Sequence, residues 1–260
     1  MPLIQSLEKN GAFLFKYRGQ IPLFFFIIGL PMIYFGNYDF LFSCHLNYQS
    51  VFTTIILILS IGVSLFGFII RAYTIGTTPR GTSGRNTKKQ VANQLNTKGI
   101  YSIVRHPLYL GNWLLWAGLL IFTMNIYLFV IASLLYWIYY ERIMFTEERF
   151  LEKQFGEQFV NWAQNVPAFL PDFSKFVKSD IPFSFKAVLR REYSGFFAII
   201  FSYTIVDYWL AFSFMQHYAS ENIWQIRPSL YVLGIALAIM LVLRTLKHNT
   251  ALLNPDHTRD

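Results

Sequence analysis

The sequence predicts an all-α fold, a polytopic membrane helical bundle of about six transmembrane helices. Three observations carry this. Of 260 residues, 54% are apolar and only 14% are charged, against roughly 45–50% and 25% in an average globular chain. Six apolar stretches approach the ~20 residues that a helix needs to cross a hydrocarbon core of about 30 Å. Lysine and arginine concentrate in alternate connections between those stretches, the pattern that orients membrane proteins.

The first stretch runs from Ile21 to about Phe42, with Pro22 near its start and Pro31 as an expected kink. The second is Val51 to Tyr73, the third Pro107 to Thr123 and the fourth Ile126 to about Phe145. Only Met124 and Asn125 separate the last two, so they form a tight antiparallel hairpin. The fifth is Tyr193 to Phe214 and the sixth Ser229 to Leu246. The chain then divides into the first two spans (1–73), a cytosolic loop (74–106), the hairpin with a cytosolic helix (107–171) and a C-terminal extension with two further spans (172–260). EERFLEKQFGEQFVNWAQ continues the fourth span as a helix interrupted near Gly156, and Pro167 and Pro171 end it.

The net charge is +8. Because the cations sit between apolar runs, the partner they imply is a membrane, with no nucleic acid. From Arg71 to Arg105 the chain carries Arg71, Arg80, Arg85, Lys88, Lys89, Lys98 and Arg105 and no acid at all. Residues 37–50 have no lysine or arginine, and 219–227 only Arg227. Six spans with both termini cytosolic place the basic loops on one side. The start of the chain lacks the small-residue cleavage site of a signal peptide. Cys44 is the only cysteine, so an intramolecular disulfide is impossible. The five histidines do not cluster at ligand spacing, so no metal is expected. Nucleotide-loop motifs are absent, and GTSG at 81–84 is a turn signal. Asp207, inside the fifth span, either marks a cavity or pairs within the bundle.

Chemistry concentrates in two places. In NTKGIYSIVRHPLYLGN, residues 96–112, Arg105 and His106 stand immediately before Pro107, which suits the first turn of a helix. The open N–H groups of such a helix start attract an anion. The plainer alternative makes Arg105 and His106 interfacial anchors beside Tyr101 and Tyr109. The second place is Glu147–Glu148, with Glu141 and Arg142 one and a half turns earlier. Carboxylates near a bilayer are costly, which points to a bound cation or donor network; the alternative is a solvated face with Glu148 pairing Arg149 or Lys153. The hairpin brings residues 105–111 and 140–148 to one end, so a single polar pocket is expected there under the basic loop.

GIYSIVRHPLYLG, then EE, then FGEQFVNWAQNVPAFLP resembles the isoprenylcysteine carboxyl methyltransferase and phospholipid methyltransferase superfamily over about residues 93–171. The resemblance implies an integral membrane methyltransferase using S-adenosylmethionine on a membrane lipid or lipid-anchored substrate. Carried over by position, Asn96, Gly99 and Tyr101 lie along the cofactor, and His106, Pro107, Leu108 and Tyr109 surround it. Glu147, with Glu148 beside it, binds it from the opposite helix. Family members place an arginine four residues before the first glutamate. Here Ile143 occupies that position and the arginine is Arg142, while Phe159 stands where tyrosine is frequent.

The acid-free loop favours an anionic acceptor, to which Arg105 and Arg142 offer bidentate contacts. The lipid A phosphate methyltransferases of bacteria are similar in loop character, which implies a bacterial inner membrane. Two other classes share features with the chain: NADPH-dependent sterol-type reductases, similar around RHPxYxG, and non-catalytic transporters. Polar residues crowd one membrane face, and broken midplane helices do not recur in two halves, which weighs against transport.

Overall fold

A computed structural model describes residues 2–36, 38, 39, 51–79, 92–218 and 225–254. Cys44, His45, Arg80, Arg85, Lys88, Lys89, the GTSG turn, His257 and Arg259 lie outside the described residues. The described chain is all-helical. Its one strand-like feature is an isolated antiparallel bridge between Gly99 and Val177.

Helix α1 (Leu3–Lys16) is amphipathic and α2 (Ile21–Tyr34) is apolar on all sides. They meet at an 82° bend. α3 (Val51–Gly76), α4 (Pro107–Phe122) and α5 (Ile126–Phe155) follow, then the short α6 (Glu157–Asn165). α7 (Phe185–Tyr218) and α8 (Pro228–Asn249) complete the bundle.

Among the described residues, four helices, α3, α5, α7 and α8, are long and apolar enough to cross a membrane, or five spans result if the bent pair α1–α2 counts as one. This corrects the expected six. The expected third span, α4, has 16 residues, which reach about 24 Å at 1.5 Å per residue. The expected first span ends as a helix at Tyr34, well before Phe42. Apolar side chains such as Ile58, Leu134 and Val242 stay exposed on these helices, as hydrocarbon requires and water does not tolerate over so wide a surface. The chain is a multi-pass integral membrane protein.

Small residues set the closest crossings. A Cβ on Gly118 of α4 would collide with the Ser60 carbonyl and Ser64 of α3, and one on Gly67 would lie 2.6 Å from the Gly111 carbonyl. Without a hydrophobic force between helices in lipid, such small-residue seams let backbones approach and dispersion act. Ser64 Oγ donates to the Leu115 carbonyl across the seam at 2.9 Å. α1 docks on α5 the same way, since a Cβ on Gly11 would strike the Arg142 carbonyl and Thr146. Glu8 adds ion pairs to Arg149 and Lys153 at 3.3 and 3.4 Å.

The expected hairpin is present. Met124 turns the chain with φ 54°. Asn125 then caps α5, its side chain accepting from Leu128 N at 3.0 Å and donating to the Met32 carbonyl at 2.9 Å. The turn is thus satisfied from within the protein, as backbone in a bilayer must be. Around it Ile33, Leu119, Phe122, Leu128, Val206, Leu210 and Phe214 form the largest buried cluster. Asp207 lies away from the polar cavity described below. Its carboxylate accepts from Arg227 Nε at 2.9 Å and Ser229 Oγ at 2.6 Å, and so ties the start of α8 to the middle of α7.

Candidate active site

The site is assembled by backbone pairing around the start of α4. The segment after α6 folds back, so that Arg105 N donates to the Pro167 carbonyl (2.9 Å), His106 N to the Ala168 carbonyl (3.2 Å), and Asp172 N to the Ile103 carbonyl (2.9 Å). Trp162 Nε1 donates to the Tyr101 carbonyl at 3.2 Å. Gly156, with φ 53°, makes this return possible by ending α5 and starting α6 in a conformation that side chains with a Cβ resist.

Pro107 opens α4, and the Tyr109 and Leu110 N–H groups that follow both donate to the His106 carbonyl at 3.1 Å. Opposite them, α5 presents its carboxylates. Glu148 accepts from Arg105 Nη1 at 2.9 Å and lies 2.8 Å from His106 Nε2. Glu147 accepts from the Tyr109 hydroxyl at 2.8 Å and keeps a third of its side chain (33%) exposed to the cavity. The His106 and Tyr109 rings stack with centroids 5.6 Å apart. The two ends of the hairpin, 38 to 43 residues apart in sequence, are therefore in direct contact.

These groups line a cavity of about 550 Å³, within the roughly 300–1,000 Å³ of small-molecule sites. Asn96, Tyr101, Arg105, His106, Pro107, Leu108, Tyr109, Glu147 and Glu148 all reach it. Two expected residues do not. Gly99, at φ 63°, donates its N–H to the Val177 carbonyl and serves the turn. Arg142 donates to the Ile138 carbonyl one turn back on α5, on the side facing α1. Ile143, at the family's arginine position, is fully buried. Phe159 lines the cavity as well, its ring 5.8 Å from Trp162.

Several cavity residues lie outside the intervals that the sequence brings together: Arg18 at the α1–α2 bend, Arg71 of α3, Asn112 of α4, and Arg191 and Glu192 of α7. In the sequence Arg71 counts only as a loop charge. The helical extension before Tyr193 is the signal that could have found Glu192, because α7 starts at Phe185 and carries that residue inward. Desolvation, with the Glu147 carboxylate nearby, pushes the Tyr101 phenol well above its usual range, so it remains a neutral donor.

A family model described as phospholipid methyltransferase matches residues 50–158. That segment is similar to the phospholipid methyltransferase family. Enzymes of this methyltransferase family use S-adenosylmethionine. The chain is 34% identical over 110 residues to protein-S-isoprenylcysteine O-methyltransferase B of Arabidopsis thaliana, covering 41% of this chain and 55% of that protein. Cobalt-zinc-cadmium resistance protein CzcN of Cupriavidus metallidurans is 39% identical over 82 residues, covering 32% and 38%. Protein-S-isoprenylcysteine O-methyltransferase of Schizosaccharomyces pombe is 29% identical over 115 residues, covering 42% and 48%. The chain thus spans about half or less of the length of these relatives. No solved structure matches it. Both helices of the hairpin up to the Glu147–Glu148 pair fall inside the matched segment, whereas α1, α2, α7 and α8 lie outside it.

Proposed function

We propose that this chain is an S-adenosylmethionine-dependent methyltransferase acting on a lipid-borne acceptor at the cytosolic membrane face. The observation that carries the proposal is the contact of Arg105, His106 and Tyr109 with Glu147 and Glu148 across one cavity. The residues present fit the cofactor. Glu147 offers a partly exposed carboxylate to an ammonium or ribose hydroxyl. Arg105 lines the cavity and keeps a buried Nε with no acceptor among the described residues. Asn96, Tyr101, Leu108 and Phe159 wall the rest.

When bound, S-adenosylmethionine supplies a methyl group on a cationic sulfur that an oxygen or nitrogen lone pair displaces in line, breaking C–S as the new bond forms. The protein contributes position more than acid–base help, because holding the two reactants in line lowers the barrier most for such a displacement. The α4–α5 hairpin fixes the acidic and basic walls relative to each other, and aromatic rings keep water out. An apolar crevice lined by Pro22, Phe26, Gly29, Trp116, Leu120 and Tyr136 adjoins the cavity, sharing Pro22, Trp116 and Tyr140 with it. It gives a hydrocarbon tail a place while the head group enters the polar side. The basic connections put this end in the cytosol. An anionic acceptor, a phosphate or carboxylate oxygen such as the phosphate of lipid A, suits a cavity lined by Arg18, Arg71, Arg105 and Arg191.

Isothermal titration of the purified chain with S-adenosylhomocysteine and, separately, NADPH tests the cofactor. Binding of S-adenosylhomocysteine alone is expected; binding of NADPH alone would make the chain a reductase. Incubating membranes with methyl-labelled S-adenosylmethionine and separating the labelled lipids then identifies the acceptor.

A further inference from the structure

The floor of the cavity holds an arrangement that the methyltransferase segment does not contain by itself. Glu192, 2% exposed, comes from α7. It accepts from Arg71 Nε and Nη2 of α3, both at 2.8 Å, in a side-on bidentate pair. Arg71 Nη1 donates to Asn112 Oδ1 at 2.5 Å, and Asn112 Nδ2 donates to the Tyr140 hydroxyl at 3.3 Å. The Tyr140 ring lies 4.9 Å from that of Tyr109, whose hydroxyl donates to Glu147. A line of hydrogen bonds, completed by the Tyr140–Tyr109 ring contact, therefore runs from α7 to the acidic wall. Gly111 makes room for it, since a Cβ there would lie 2.6 Å from Arg71 Cγ.

A guanidinium carries five N–H donors. Three of those on Arg71 meet acceptors among the described residues, which leaves two on the terminal nitrogens. The line also runs where the polar cavity gives way to the apolar crevice, at Tyr140. A lipid-borne acceptor has its own polar–apolar boundary, and it comes to rest where the two boundaries coincide. A buried ion pair is a weak source of stability, because desolvating both partners offsets most of their attraction. Its position here has a better account as alignment of a charged fork.

We propose that Arg71 is the acceptor-positioning residue and Glu192 the residue that aligns it. The two remaining N–H groups of Arg71 receive an anionic oxygen of the acceptor head group while the tail occupies the crevice. Glu192 fixes the plane of the guanidinium and limits its net charge, so the acceptor is held in line and still released. This rests on the methyltransferase reading and names the acceptor class for the same site: a carboxylate or phosphate oxygen on a hydrocarbon tail. It also gives the C-terminal extension a role, since α7 completes the floor.

The test uses the full chain in mixed micelles, with S-adenosylhomocysteine affinity and methyl transfer measured separately. The acceptors are S-farnesylcysteine as the carboxylate, phosphatidic acid as the phosphate and phosphatidylethanolamine as the amine. Arg71→Lys keeps the charge and loses the fork. It is expected to raise KM for the preferred anionic acceptor at least tenfold, with S-adenosylhomocysteine affinity within twofold of wild type. Glu192→Gln is expected to lower kcat at least tenfold without raising KM, because a more cationic but misaligned Arg71 still attracts the anion. Asn112→Ala keeps the ion pair and provides a third variant should a charged one not fold; a shift in KM of threefold or more is expected. Anionic-acceptor KM and kcat within twofold of wild type in the folded variants overturn the proposal. So does a parallel loss of S-adenosylhomocysteine affinity and thermal stability with no split between KM and kcat, the mark of a structural clasp. Methylation of the amine acceptor alone overturns it too. A wild-type chain that fails to bind S-adenosylhomocysteine refutes the methyltransferase reading instead.

Discussion

Glu147 and Glu148 are neighbours on α5 that both face His106, at 3.8 and 2.8 Å, but differ in their hydrogen bonds, and conservative substitutions should separate their roles. Glu147→Gln keeps an oxygen that can still accept from the Tyr109 hydroxyl, now 2.8 Å away, so the local fold survives. What disappears is a negative charge on a side chain one-third exposed to the cavity. If that carboxylate meets a cationic or hydroxyl group of the cofactor, affinity falls tenfold or more, about 1.4 kcal/mol. Glu148 is more enclosed, at 25% exposure, and serves Arg105 and His106 together. Hydrogen bonds to charged groups contribute about 1.5–3 kcal/mol when sheltered; with a quarter of the side chain open to water, about 1 kcal/mol of stability is the expected loss for Glu148→Gln. Titration calorimetry with S-adenosylhomocysteine and thermal unfolding in the same detergent separate the effects. Glu147→Gln should lose binding at nearly constant Tm, and Glu148→Gln should lower Tm. Glu147→Gln binding within twofold of wild type, or identical behaviour of the two variants, would refute the assignment.

Other substitutions probe the framework. Gly118→Ala forces a methyl against the Ser60 carbonyl and Ser64 in the α3–α4 seam, and should cost about 1–3 kcal/mol, read as a lower Tm. Asp207→Ala removes the carboxylate that receives Arg227 and Ser229, both partners of the pair being only about a tenth exposed. A loss of about 2–3 kcal/mol is expected, with S-adenosylhomocysteine affinity unchanged because the pair lies off the cavity. Gly99→Ala puts a Cβ on a residue at φ 63° and 3.2 Å from Ser179 Cβ; about 1–2 kcal/mol of strain should appear as loosened protection of residues 99–106 in hydrogen exchange.

The parts of the site that sequence revealed are those a short connection enforces. Two residues between apolar runs leave the chain no choice but to return, so Arg105–Tyr109 and Glu147–Glu148 had to share an end. The Gly156 break and the proline-ended segment behind it were legible for the same local reason. Pairings across long intervals were not. Arg71 and Glu192 stand 121 residues apart, and nothing in either segment names the other. Arg71 reads as one more cation of a basic loop, and an apolar count that begins the fifth span at Tyr193 passes over the turns of α7 before it. The span count failed because hydropathy measures composition rather than where a helix stops. Pro107 and the Met124 turn confine α4 to 16 residues, and the 82° bend divides the first apolar region from the amphipathic segment before it.

The shortness of α4 bears on the host bilayer. About 24 Å of helix falls short of a hydrocarbon layer of about 30 Å, so a hairpin that enters from one surface ends below the other unless the lipid there thins. Tyr38 and Asn125 shield the tip with hydrogen bonds to the Thr123 and Met32 carbonyls, which leaves the lipid to close the remaining gap. Deforming lipid costs fractions of a kcal/mol per ångström. Reconstituted into vesicles of graded acyl-chain length, the protein should be most stable in the thinner ones, with membrane thickness acting on it as a mechanical load.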